Sequence, residues 1–341
     1  MEFGPDTLEL DVSGDGASGE AAGEAGAPLA ALRDMPRTPV DVAERADLAL
    51  EDDRLLAGKP SPAATDLRPR YLSPSSASMY KQCARKWKYR YVDKLADPPG
   101  EAALAGTFAH RVLELLLQLP AEQRTVDEAK RLARAVWPET AKDLDYKALR
   151  LDDAGERQFR WRGWQAVEGL WTIEDPASVT VHATEHDVKI EVGGVPFRGI
   201  VDRIDVEKDH FVISDYKSGR APSMRFVDER LAQVLLYAAA VRELMGATPS
   251  RARLLYLGQS IIDIEVTDAN LAHAIGTLQT TWKSLISDCD RQEFSPQTGP
   301  LCAWCPFVNQ CDAGQVEVRQ RHAAGKVRPD APGLRVLPAA G

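Results

Sequence analysis

GIVDRIDVEKDHFVISDYK, residues 199–217, holds the most telling strand pattern in the chain. It reads as two short strands joined by a tight polar turn at Glu207-Lys208-Asp209. Side chains two apart on a strand share a face. Asp215 and Lys217 therefore project together with Phe211 and Ile213, and Asp202 with Ile200, Ile204 and Val206. A carboxylate on an otherwise apolar strand face is costly to bury unless it is paired or holds a metal. Any one of these aspartates alone fits a strand end or a turn cap. The set, with a lysine two residues beyond the last, points to a site.

Outward from this stretch the pattern stays strand-like for one more element. Residues Val179–Ile190 alternate with period two and contain Glu185, and Gly193-Gly194 is a hairpin signal that turns the chain into Val195–Val206. A helix is expected over Val227–Leu244, on which Gln233 and Tyr237, four apart, share a face. Strands over Leu254–Leu257 and Ile261–Val266 and a helix over Asp268–Ile286 follow.

Upstream, Ser73-Pro74 opens a helix, with serine as cap and proline in the first turn. That helix interleaves Tyr80, Cys83, Trp87, Tyr89 and Tyr91 with Lys81, Arg85, Lys86, Lys88 and Arg90. The pattern suits a base-stacking, phosphate-binding surface, or aromatics turned to a core beneath a solvated basic face. After Pro98-Pro99-Gly100, a helix over Ala103–Leu119 carries an apolar stripe of Leu104, Phe108, Val112, Leu115 and Leu116. His110 falls just outside the stripe, where a lone histidine is ordinarily a packing or surface residue. Helices over Val126–Val136 and Ala154–Trp171 follow, and Trp161, Trp164, Leu170 and Trp171 are assigned to the core.

The net charge of −9 on 341 residues is unevenly spread. Residues 1–66 hold fifteen Asp/Glu against five Lys/Arg, a net of −10, and the remainder carries +1. The body is thus near neutral, and its charge is no argument against a nucleic-acid partner. Residues 1–70, rich in Gly, Ala, Pro and acid, read as a disordered extension in which Val42–Leu56 could form an isolated amphipathic helix. Residues 71–315 read as one folded domain and 316–341 as a flexible tail. No stretch approaches the roughly 18 unbroken apolar residues of a membrane span. The acidic N-terminus also lacks the basic-then-apolar order of a secretory signal, so a cytoplasmic location away from membranes is expected. There is no Gly-x-x-x-x-Gly-Lys-Ser/Thr phosphate loop, and any helicase motor would have to come from a partner.

Two constellations carry chemistry. Asp202 and Asp215, with Glu185 as a further acid, offer hard oxygens suited to Mg²⁺ or Mn²⁺. Lys217 beside them could orient or deprotonate a water, or neutralise developing negative charge. The second is Cys302-x₂-Cys305-x₅-Cys311, compact enough for one centre, with a fourth ligand from Cys83 or Cys289. In an intracellular protein this suggests metal rather than disulfides, and the spacing alone permits either zinc or an iron–sulfur cluster.

Taken in order, His110 in Gly-Thr-Phe-Ala-His, Asp202 in Gly-Ile-Val-Asp-Arg-Ile-Asp, Asp215-Tyr-Lys217 and Gln233-x₃-Tyr237 resemble the motifs of the PD-(D/E)XK nuclease superfamily, and within it the RecB-like exonucleases. The resemblance covers residues 72 to about 312. It implies an α/β, restriction-endonuclease-like core with a central mixed sheet flanked by helices. It further implies that His110, Asp202 and Asp215 bind metal, that Lys217 is catalytic, and that Gln233 and Tyr237 help position DNA. Glu185 lies where such nucleases often place an acid, and Ser218 stands where a threonine is usual. The cysteines resemble those of AddB-like and CRISPR-adaptation nucleases. That likeness implies a 4Fe-4S cluster on Cys83, Cys302, Cys305 and Cys311, in a subdomain joining the N- and C-terminal parts, and it leaves Cys289 spare. The activity so implied is metal-dependent exonuclease cleavage, at single-stranded DNA ends, in repair or recombination beside a helicase or repair-complex partner. The alternatives are a non-cleaving DNA-binding subunit and a nuclease of CRISPR spacer acquisition.

Overall fold

A computed structural model describes residues 67–223 and 227–337. The acidic extension and the helix expected at Val42–Leu56 lie outside the described residues, apart from the extension's last few. The described elements are α1 (Pro74–Gln82), α2 (Ala84–Tyr91), α3 (Glu101–Leu117), α4 (Val126–Thr140), α5 (Leu144–Ala148), α6 (Asp153–Glu168), β1 (Val181–Val192), β2 (Val195–Glu207), β3 (His210–Lys217), α7 (Val227–Met245), β4 (Arg251–Tyr256), β5 (Ser260–Glu265), α8 (Asp268–Arg291) and α9 (Asp312–Ala323).

The strands form a five-stranded sheet in sequence order. β1, β2 and β3 are antiparallel neighbours, β3 and β4 are parallel through the α7 crossover, and β5 returns antiparallel on β4. Gly193 and Gly194 turn β1 into β2 with φ of 58° and 76°, the left-handed pair that a two-residue hairpin needs. Lys208 and Asp209 do the same between β2 and β3 with φ of 47° and 64°, without glycine's freedom.

Each sheet face has its own core. Phe197, Ile204, Phe211, Ile213 and Leu254 pack with α7 and α8 on one side. On the other, Tyr216 and Leu255 pack with Phe108, Val112, Leu116, Val136 and Val167 from α3, α4 and α6. The chain enters through Leu72, which bridges to Phe197 on β2. Ser73 caps α1, its Oγ accepting the Ser76 N–H at 3.2 Å.

Three differences from the sequence reading have physical causes, and one open alternative is decided. The first helix breaks in two at Cys83, whose backbone is extended (φ −168°, ψ 111°). Its aromatics are core: Tyr80, Trp87, Tyr89 and Tyr91 are buried, and the basic residues between them form the solvated face. Trp161 is 56% exposed on α6, so it does not join the core assigned to it. Finally, the tail read as flexible carries α9 and packs through Val318 and Ala331 against Ala303 and Val308. Gly333 sits so close there that a Cβ would come 2.7 Å from the Ala303 carbonyl oxygen.

Candidate active site

β2 and β3 are paired from Glu207↔His210 to Arg203↔Ser214 and then part. Asp202 and Asp215 come next, one on each strand at the fork. Asp202 reaches across, its Oδ2 accepting the Tyr216 backbone N–H at 2.7 Å. On the other side of β2, the pairs Thr184↔Arg203 and His186↔Val201 set Glu185 opposite Asp202. Glu185 has φ of 47° and is buried, a left-handed backbone that costs a residue bearing a Cβ on the order of 1 kcal/mol. α3 supplies His110, with Nδ1 3.5 Å from Asp202 Oδ2. His110, Glu185 and Asp202 each present a ligand atom, and the three atoms lie within 4.8 Å of one another.

Lys217 Nζ lies 2.5 Å from Asp215 Oδ2. From α7, Gln233 spans this pair. Its Nε2 donates to Asp215 Oδ1 and its Oε1 accepts from Lys217 Nζ, each at 3.4 Å. Burial and the charge of Asp202 push the Asp215 carboxyl up to about 6, with Lys217 offsetting part of the rise. Burial works against the charged form of His110, but Asp202 outweighs it and raises the imidazole above its ordinary value. Asp202 is lowered in turn, because the charge and hydrogen bond of His110 overcome its burial. Lys217 is raised despite burial by its contact with Asp215, so it is a cation at neutral pH.

These donors fit a hard divalent cation. Asp215 Oδ2 is buried, with the ammonium of Lys217 2.5 Å away. Carboxylate oxygens with one imidazole are a donor set for Mg²⁺ or Mn²⁺. On the far face of β2, fully buried Arg203 donates to both Glu174 oxygens, to Asp205 and to the Tyr216 hydroxyl. The Tyr216 ring stands edge-on to His110 at 5.7 Å. Tyr216 thereby ties the buried network to two groups of the site.

A model of the PD-(D/E)XK nuclease superfamily matches residues 71–312. The chain belongs to this superfamily. Its nucleases use divalent metal ions, which accords with the donors gathered at the fork, and their substrate is DNA. Among curated proteins, this nuclease is 26% identical over 198 residues to the Gene 69 protein of Mycobacterium phage D29, a match covering 51% of this chain and 70% of that one. Among solved structures, an Eubacterium rectale protein provisionally named an exonuclease aligns with 67% of the chain and 84% of its own, at 16% identity and a TM-score of 0.43.

The fold of the nuclease brings His110, Glu185, Asp202, Asp215, Lys217 and Gln233 together. Tyr237 lies one helical turn beyond Gln233 and is buried, its ring pressed on Gly199, where a Cβ would fall 2.6 Å from Tyr237 Cε1. Tyr237 is thus set against the backbone of β2, away from the group formed by the other six. The sequence reading passed over Tyr216, Arg203, Asp205 and Glu174. One signal was available: Arg203 and Asp205 alternate with Asp202, so β2 carries charge on both faces.

Cys83, Cys302, Cys305 and Cys311 line one small cavity of about 30 Å³. The break between α1 and α2 turns Cys83 into it. Backbone N–H groups of Gln297 and Gly314 lie 3.4 and 3.3 Å from the Cys83 and Cys311 sulfurs. No three of these sulfurs lie within 4.8 Å of one another, wider than one tetrahedral zinc with bonds of about 2.3 Å would set them. Burial pushes the Cys302 and Cys305 thiols up. Cys289 is buried elsewhere, donating to the Leu67 carbonyl at 3.3 Å.

Proposed function

We propose that this nuclease is a RecB-like DNA exonuclease, dependent on Mg²⁺ or Mn²⁺, that acts at single-stranded ends in repair or recombination. The observation carrying the reading is the fork between β2 and β3. It sets Asp202 and Asp215 side by side, with His110 and Glu185 within ligand distance of Asp202 and Lys217 in contact with Asp215. In this reading His110, Asp202 and Asp215 hold the ion, with Glu185 as a further acid. When bound, the ion lowers the pKa of its water and stabilises charge on the phosphodiester.

The remaining work falls to the chain's own groups. Lys217, kept protonated by Asp215, neutralises charge developing on the non-bridging oxygens and orients the water, and it is not the base. Gln233 fixes both partners of that ion pair. Tyr216 holds Asp202 through its backbone N–H.

We further propose that Cys83, Cys302, Cys305 and Cys311 hold a 4Fe-4S cluster with a structural role. The observation behind this reading is that all four thiols line one cavity.

The test is digestion of end-labelled single- and double-stranded DNA with Mg²⁺, Mn²⁺ or EDTA. Metal-dependent loss of the terminal label from single strands is expected. Asp215→Asn and Lys217→Ala should each reduce the rate by roughly 10²–10³-fold or more. Full activity in either variant would sink the site assignment, and products cut only internally would sink the exonuclease reading.

A further inference from the structure

Beside Lys217 the fork opens into a chamber of about 390 Å³, floored by β3 and the turn that follows it and walled by α3 and the start of α7. Its lining includes His110, Lys217, Arg220 and Arg230, and among the described residues it contains no carboxylate. Arg220 and Arg230 are exposed and have no ion-pair partner among the described residues. Most arginines of the body are held differently: Arg203, Arg253 and Arg198, for example, are each tied to an acid. Thr107, Ser218, Tyr216 and Tyr256 are also among its lining residues.

Charge explains why such a chamber belongs here. The carboxylates at the fork repel a phosphodiester, so a strand reaches them only if nearby cations outweigh that repulsion. Two guanidinium groups present planar forks that match phosphate oxygens. The volume falls in the range of small-ligand cavities, about 300–1,000 Å³, a size suited to one nucleotide.

We propose that this chamber is a phosphate seat, in which Arg220 and Arg230 hold the phosphate one nucleotide beyond the scissile bond. The proposal rests on the nuclease reading of the fork and gives it a means of recognising a strand end. The phosphate can be a terminal monoester or the next diester of a continuing strand.

Binding is measured in EDTA, where nothing is cut, by anisotropy of labelled single strands bearing 5′-phosphate, 3′-phosphate or only hydroxyl ends, with a circular strand as competitor. For the double variant R220Q/R230Q, affinity is expected to fall at least about tenfold. The slope of log affinity against log salt should flatten by about 0.7, the contribution of one phosphate on a single strand. The melting temperature and Mn²⁺ affinity should stay at the wild-type values. If the wild type prefers phosphate-ended strands and the variant loses that preference, the phosphate is terminal. If every strand loses equally, the circle included, it is a diester. An unchanged slope, with affinity altered less than about threefold, would overturn the seat. Because binding is read without cleavage, a wild type that cuts nothing would defeat the nuclease reading and leave this result legible.

Discussion

Asp215 keeps its proton to about pH 6 because burial and the charge of Asp202 oppose its ionisation more than Lys217 favours it. A carboxyl raised from 3.8 means that the folded state binds the proton more tightly than the unfolded one. This group's contribution to stability is therefore present in acid and is lost as pH climbs from about 4 to about 6. A cation at the fork reverses the preference, since it favours the carboxylate and must displace the proton. Mn²⁺ affinity, followed by calorimetry or EPR, is expected to level off only above the raised value of His110, to fall as that imidazole takes a proton, and to fall by about a further tenfold per pH unit below about 6, where Asp215 is protonated too. His110, raised by Asp202, steepens the fall where both groups carry protons. A flat affinity between pH 5 and 7 would separate Asp215 from the metal. At this scale the sequence was informative about which groups the fold gathers, because a charged side chain on an apolar strand face is visible as an exception. It was silent on Tyr216, whose contribution to Asp202 is made by a backbone N–H that any residue would supply.

Among the elements, periodicity located strands and helices well, and the departures occur where one residue leaves its regular conformation. Cys83 interrupts a helical pattern with an extended backbone, and Glu185 takes a left-handed one within β1. Neither residue type demands these shapes, so nothing in local propensity announces them. Both belong to candidate ligand sets, where tertiary demands override the local preference. The β2–β3 turn makes the same point without a site. Lys208 and Asp209 both take positive φ, the pair for which Asn-Gly is preferred. Replacing Lys208 by Asn and Asp209 by Gly should relieve about 1 kcal/mol of backbone strain. Thermal unfolding should then shift upward by about 2–4 °C, with cleavage unchanged because the turn lies at the paired end of the hairpin, away from the fork. A lower melting temperature would mean that side-chain contacts of Lys208 or Asp209 outweigh their strain.

For the whole molecule, the question is what holds its first helices to its last. Trp87 stacks on Phe294 at 5.9 Å, Arg85 Nε donates to the Phe294 carbonyl at 2.6 Å, and the Tyr89 hydroxyl donates to the Gln310 carbonyl at 2.6 Å. These contacts already bring Cys83 to the C-terminal cysteines, and α9 with the segment behind it packs over the same loop. The sequence carried the cysteine spacing but not this cover, because the last residues are polar and bury only a few small side chains. With the thiols of Cys302 and Cys305 raised by burial, the unloaded cavity favours protonated sulfur, and loading must release those protons. If the four thiols that line this cavity hold the proposed cluster, the free energy of holding it adds to the free energy of folding. Cys83→Ser, purified without oxygen, is expected to lose its iron and its visible absorption. It should also melt on the order of 10 °C lower, the shift for about 3–5 kcal/mol in a domain of this size. Cys289→Ser should keep both iron and colour, because that thiol sits apart from the cavity beside Leu67. Iron retained in Cys83→Ser, or zinc in place of iron in the native protein, would refute the cluster. Equal melting temperatures for the two variants would instead show that the stacked and hydrogen-bonded contacts join the two ends without it.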